Sequence, residues 1–216
     1  MPGQFDTTIR EVALYDGTGA PPVTADVAIE GDRIAAVGAA PGAARQTLDG
    51  RGLALAPGFI DVHTHDDFAA LAHPGMGFKL AGGVTTCIVG NCGFGAAPHA
   101  AASVMAKTLH PGISLAEWDG YAGYLRRLED HAPGVNIGVL IGHGTARLAA
   151  MGLEARAPTG AEMATMKAIA TEGLEAGALG LSSGLIYDPG RFAATEELIE
   201  IAALMRGSGA LYATHM

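Results

Sequence analysis

Leu55–Asp67 reads LAPGFIDVHTHDD, an apolar run through Phe59, Ile60 and Val62 that ends in two histidines one residue apart, with carboxylates at Asp61, Asp66 and Asp67. In a strand, residues i and i+2 point to the same face, so His63 and His65 aim their imidazoles into one space while Thr64 points away. The stretch is therefore read as a buried strand that delivers metal ligands. The competing reading is a pair of histidines satisfied by hydrogen bonds near a strand end. Pro57 and Gly58 before the run, and two carboxylates after it at a helix start, favour a strand whose C-terminal end opens a site.

On the N-terminal side of this stretch, residues 7–15, 23–30, 33–38 and about 46–56 are short β-branched or alternating segments, separated by DGTGAPP, GD and GAAPGAA. They predict a small antiparallel sheet, so residues 1–56 are taken as a small β domain. From residue 57 onward, apolar runs alternate with helical stretches. Strands are expected over 58–63, 84–90, 135–141, 178–182 and 210–215, and helices over 67–82, 114–131, 160–176 and 195–206. This βαβα order predicts a parallel sheet buried on both faces. Ser114 with Glu117, and Thr159 with Glu162, resemble capping boxes, and Gly177 and Gly207 stand where helices should stop. Each strand end carries a polar or metal-binding group: His63 and His65, then Asn91 and Cys92, His143 in GHGTAR, Ser182 and Ser183, and finally His215. A (β/α) barrel assembles its site from such ends.

The 216 residues are 49% hydrophobic and 16% charged, enough to bury a real core. A net charge of -9 excludes the basic face that nucleic acid requires and points to a small soluble substrate. No apolar segment follows a basic start, and no stretch reaches about 18 apolar residues, so a cytoplasmic protein with no membrane role is expected. Cys87 and Cys92, if joined by extended chain, lie about 16 Å apart at Cα, beyond the roughly 7 Å a disulfide tolerates. Cys87, within VTTCIV, reads as a small core residue. Cys92, within GNCGFG, is expected on a glycine-flanked loop, off the sheet and open to a cavity.

Four segments, PGFIDVHTHDD, GVTTCIVGNCG, GALGLSSGLIYDPG and YATHM, in this order and after a β-rich start, resemble the amidohydrolase superfamily and within it the N-acyl-D-amino-acid deacylases. The resemblance spans nearly the whole chain. It implies a metal-bearing (β/α)8 TIM-type barrel with a small β-sandwich domain, of which residues 1–56 would be the N-terminal part and residues 57–216 about the first five βα units. By position it makes His63 and His65 ligands of a weaker second metal site, and Cys92 and His215 zinc ligands. Thiolate and imidazole suit zinc together, and a catalytic zinc keeps a position open for water. His143, at the end of the third barrel strand, is a pocket candidate with hydrogen-bonding, substrate-contacting or structural roles open to it, and Tyr187 in SSGLIYDPG is a second. Hydantoinase-like members bridge two metals with a carboxylated lysine near the end of the fourth strand. Here only Lys79, Lys107 and Lys167 occur and none ends a strand, which favours the deacylase branch with Cys92 as the soft ligand.

The activity implied is zinc-assisted hydrolysis of N-acyl-D-amino acids to a carboxylate and a D-amino acid. The family's proton-shuttling aspartate lies near the end of the last barrel strand, which would follow Met216. Residue 56 is followed by 160 residues, whereas a full barrel takes about 250. The expectation is an N-terminal portion of a deacylase, inactive alone, whose open sheet edge invites self-association or a complementing chain. Two alternatives stand beside it: a hydrolase for isoaspartyl dipeptides, N-acylglutamate or hydantoins, and a non-catalytic half-barrel that binds a partner chain.

Overall fold

Strand β1 (Phe5–Leu14) is the axis of the first of two units, Met1–Gly58 and Phe59–Met216, into which the chain divides. The computed structural model describes residues 5–39 and 42–215, so part of the turn expected at GAAPGAA lies outside the described residues. β2 (Val23–Glu30) runs antiparallel to β1, and β3 (Arg33–Gly38) antiparallel to β2. β4 (Ala44–Asp49) and the short β5 (Ala54–Leu55) both pair with β1 in parallel. The sheet is thus mixed, not antiparallel as the sequence suggested. A tight turn at Gly31 joins β2 to β3, but the connection after Gly38 carries the chain across to the far edge of β1, and a crossover of that kind leaves the strands parallel.

The second unit is a parallel sheet with its strands in chain order. β6 (Phe59–Asp61), β7 (Val84–Val89), β8 (Asn136–Gly142), β9 (Gly180–Gly184) and β10 (Leu211–His215) each pair in parallel with the next. Helices fill the connections: α1 (Ala69–Ala72), α2 (Gly77–Leu80), α3 (His99–Leu109), α4 (Gly120–His131), α5 (His143–Met151), α6 (Gly160–Ala176) and α7 (Thr195–Ala202). This is the βα succession of a (β/α)8 barrel over its first five strands. Val139, Ile141 and Leu181 of the sheet pack against Tyr121, Tyr124, Met166 and Ala170 of the helices. Helix α6 comes close because Gly173 faces the sheet; a Cβ there would stand 2.7 Å from the Ile141 side chain. No helix among the described residues is long and apolar enough to cross a membrane.

Several elements depart from expectation. β6 is short and exposed rather than buried: Phe59 and Ile60 are each 61% accessible. It is an edge strand, with only β7 beside it among the described residues, so one flank of its apolar side chains meets no neighbour. The helix expected over 67–82 is two short ones, interrupted by Pro74 and by Met76 in a left-handed conformation (φ 46°). The Ser114 capping box does not form; the chain stays irregular to Asp119 while Trp118 turns into the core and its Nε1 donates to the Ala96 carbonyl. The Thr159 box does form: Thr159 Oγ1 accepts from Glu162 N, and Glu162 Oε2 accepts from Thr159 N. Helices α3 and α5 were not anticipated.

Candidate metal centre

The loop after β7 is built by close approach. Gly90 turns the chain with φ 80°, and a Cβ on it would collide with the Leu140 carbonyl oxygen at 2.1 Å, so both the conformation and the space demand glycine. A single 3-10 turn, Asn91–Gly93, follows, with Cys92 itself in the left-handed region (φ 56°). Asn91 Nδ2 donates to the Ile88 carbonyl at 2.8 Å and reaches the Val62 and Thr64 carbonyls at 3.4 Å, tying this turn to the histidine segment. Gly93 N donates to Ser182 Oγ at 3.0 Å, and Ser182 Oγ in turn donates to the Gly90 carbonyl. Asn91 and Ser182, noted in the sequence only as polar strand ends, are the braces of the cysteine turn.

His63 and His65 lie just beyond β6, in irregular chain, yet the alternation expected of a strand persists: Thr64 between them is buried. Their rings meet edge to face with centroids 5.8 Å apart. His63 Nε2 stands 3.1 Å from Cys92 Sγ, and His215 Nδ1, from the end of β10, stands 3.2 Å from the same sulfur. His63, Cys92 and His215 are the group of metal-type ligands that the described residues bring together, each offering one atom, all within 4.8 Å of one another. Cys92 is 3% exposed, so the thiol is buried rather than open to a cavity; the two imidazoles fill the space in front of it. Cys87 is likewise a free, buried thiol, packed in the core.

These three residues fit a soft divalent ion. Tetrahedral zinc, with sulfur at about 2.3 Å and nitrogen at about 2.0 Å, sets sulfur and nitrogen about 3.5 Å apart, a few tenths beyond the 3.1 and 3.2 Å sulfur–nitrogen separations here. Burial pushes the Cys92 thiol up from its ordinary pKa, so a thiolate in this position requires a cation beside it. His65 is outside the group of three. Burial, followed by the neighbouring His63 and His110, lowers its pKa, and its Nδ1 is buried without a hydrogen-bond partner. Asp67, behind it, is also buried; loss of water pushes its carboxyl up to about 7 despite a hydrogen bond from the Gly90 backbone, and its Oδ1 is unpartnered. His65, Asp67 and Phe94 line a small cavity closed by Met105, Leu109 and His110 of the unforeseen α3 and its end.

Tyr187 joins the cluster. Its hydroxyl is 3.5 Å from His215 Nδ1, its ring meets that of His215 at 5.3 Å, and Phe94 packs on it edge to face at 5.2 Å. His143 is placed differently. It is fully buried at the start of α5, with Nε2 hydrogen-bonded to Glu197 Oε1 at 2.8 Å, and of the roles open to it hydrogen bonding is the one this geometry carries. Glu197 and Arg147, which complete that buried group, had no local signal in the sequence.

A sequence profile of the amidohydrolase family matches residues 46–215. The N-acyl-D-aspartate deacylase of Alcaligenes xylosoxydans xylosoxydans is 43% identical over 100% of this chain and 44% of its own length. Among solved structures, a D-aminoacylase described as defining a novel subset of amidohydrolases superposes with a TM-score of 0.87 at 40% identity, over 98% of this chain and 45% of that one. The N-acyl-D-glutamate deacylase of Bordetella bronchiseptica, solved with zinc and a phosphonate mimic of the tetrahedral intermediate, gives a TM-score of 0.85 at 35% identity, over 99% of this chain and 45% of that one. The chain spans less than half the length of these relatives.

Proposed function

Because this chain belongs to the amidohydrolase family, we propose that it carries the zinc-ligand half of an N-acyl-D-amino-acid deacylase site, whose reaction is hydrolysis of the acyl amide to a carboxylate and a free D-amino acid. The observation that carries the reading is the convergence of His63 Nε2 and His215 Nδ1 on Cys92 Sγ, at 3.1 and 3.2 Å, from three separate strand ends. The relatives named above, at 35–43% identity and with deacylase activities, supply the substrate class. His63, Cys92 and His215 would hold the ion, with His65 beside them as the ligand of a second, weaker position.

Zinc, when bound, supplies Lewis acidity toward an amide carbonyl and acidifies a water to a pKa near about 7. The chain's own residues orient and shield. Tyr187 presents a hydroxyl next to the ligand cluster, where it can donate to a substrate oxygen, and its edge-to-face contact with Phe94 helps hold the ring in place. His143, locked on Glu197, buttresses the strand that leads into α5. Among the described residues no carboxylate joins the ligand cluster. A proton must still reach the departing amine, so the 216-residue chain by itself is expected to be inactive.

Elemental analysis of the purified chain beside a Cys92→Ala variant tests the metal reading. Near-stoichiometric zinc that falls sharply in the variant is expected; equal zinc in both, or none in either, refutes it. Measurable hydrolysis of an N-acyl-D-amino acid by the isolated chain would refute the expected inactivity. The substrate class is tested on the cobalt-loaded chain: a phosphonate analogue of an N-acyl-D-amino acid should perturb the cobalt absorption, and a hydantoin should not. Cytoplasmic location and a small-molecule substrate without nucleic acid belong to the same proposal.

A further inference from the structure

The two histidines that follow β6 sit in chain without regular hydrogen bonding, and something other than a strand must hold them. Besides the Asn91 amide, which reaches the Val62 and Thr64 carbonyls, Lys79 of α2 supplies such a contact. Its Nζ lies 2.7 Å from Asp61 Oδ2, 2.7 Å from Asp66 Oδ2 and 3.0 Å from Thr64 Oγ1. An ammonium has three donors, and here each meets an acceptor. The acceptors bracket the histidines in sequence: Asp61 precedes His63, Thr64 lies between His63 and His65, and Asp66 follows His65. Asp61 closes the bracket further, since its Oδ1 accepts from the His63 backbone N at 3.2 Å, and Thr64 Oγ1 donates to Asp66 Oδ2.

Water is mostly excluded from this knot; the side chains of Lys79 and Asp66 are 16% and 13% exposed. Solvent screening, which weakens exposed ion pairs, acts less on this contact. Burial works against the Lys79 ammonium, but the hydrogen bonds and charges of Asp61 and Asp66 outweigh it and raise its pKa, so the cation persists through neutral pH.

We propose that Lys79 is a positioning residue of the metal centre, clamping Asp61, Thr64 and Asp66 so that the His63 imidazole is presented toward Cys92 with His65 held beside it. It touches neither ligand ring; it acts through the backbone that carries them. The inference rests on the metal reading of His63, Cys92 and His215.

Cobalt(II) titration of the full chain tests it, following the thiolate-to-cobalt charge-transfer band and the ligand-field bands, in the unsubstituted protein and in Lys79→Gln. The expected result is an affinity about 10-fold weaker, as for loss of other outer partners of metal ligands, with altered ligand-field bands and an unchanged far-ultraviolet circular dichroism spectrum. Unsubstituted affinity and bands in Lys79→Gln overturn the inference while leaving the metal reading intact. If Lys79→Gln does not fold, Thr64→Val decides. It keeps the shape and both charges but loses the hydroxyl link, so weakened binding with altered bands supports the clamp and unchanged binding overturns it. A chain that shows no cobalt–thiolate band at all overturns the metal reading, and the inference falls with it.

Discussion

Glu197 serves two partners at once, with Oε1 on His143 Nε2 and Oε2 on Arg147 Nη1, and all three side chains are buried. Arg147 spends its other amine on the carbonyls of Glu154 and Arg156, so this group fastens α5 to α7 and to the loop ahead of α6. Removing the acceptor charge leaves a buried guanidinium unpaired, which costs about 3–5 kcal/mol. Glu197→Gln is therefore expected to lower the unfolding free energy at neutral pH by that order, measured by urea denaturation. The pH dependence has a definite sign. Burial raises the Glu197 pKa, but the hydrogen bonds from His143 and Arg147 more than offset this and hold it below the ordinary 4.5. Its contribution is therefore fully present above the unfolded value and lost as pH falls through the lower folded value, so the gap between the parent and Glu197→Gln should narrow below about pH 4.5. A gap that widens on acidification would contradict this assignment. None of this was legible beforehand, because Glu197 and Arg147 are 50 residues apart and no short motif links them. His63, Cys92 and His215 could each be singled out in the sequence because each stands at a strand end in a recognisable segment, but the sequence grouped His63 with His65, whereas the structure brings it to Cys92 and His215. Lys79 was visible only as a lysine that ends no strand, although three aspartates within 18 residues of it were a charge signal that could have been followed.

The strands and the turns between them set where those residues land. Gly184 of β9 packs against the cysteine turn so closely that a Cβ would stand 2.3 Å from the Cys92 carbonyl oxygen, a separation real Cβ atoms do not adopt. Gly184→Ala must push the turn away from the strand, and overpacking of this kind costs about 1–3 kcal/mol. The expected outcome is a parallel loss of thermal stability and of cobalt affinity. Gly160→Ala, at the first turn of α6 where nothing lies within 4 Å, should leave both unchanged. Equal cobalt affinity in Gly184→Ala and the parent would show that the turn relaxes without moving the sulfur. Elements were read unevenly from sequence, and the reasons are physical. The boundaries of α6 were legible because Thr159, Glu162 and Gly177 form a local box and a left-handed cap that need no tertiary help. The same pattern at Ser114 gave no helix because burying Trp118 outweighed a local cap. Helix α3 escaped because the run HAAASVMAKTL offers little contrast between its faces, and α5 because it begins at His143 directly after β8 ends at Gly142, with no loop residue to announce it.

At the scale of the molecule, the alternation of apolar runs and helical stretches was enough to predict a parallel barrel-type sheet, since parallel strands need a crossover between them and the sequence has a helix-length segment in every gap. What it could not predict is how much apolar surface the described strands leave uncovered. Phe59, Ile60 and Val62 at one edge are 61%, 61% and 67% exposed, and Leu211 and Tyr212 at the other are 57% and 47% exposed. Among the described residues neither edge pairs with a further strand, and an edge that is both apolar and unpaired is a template for another chain. We propose that the self-association expected from sequence would run through β6, against a neighbouring copy or a complementing chain of the same barrel. Light scattering of the purified chain should show mass rising with concentration, and Ile60→Thr, which keeps β-branching but removes apolar area from the exposed edge, should reduce the rise without changing zinc content. A monomer at every concentration tested would refute association through this edge. Association that persists in Ile60→Thr but disappears in Leu211→Thr would move the contact to β10, which carries His215, one of the three residues proposed to hold zinc, and added zinc would then be expected to change the association as well.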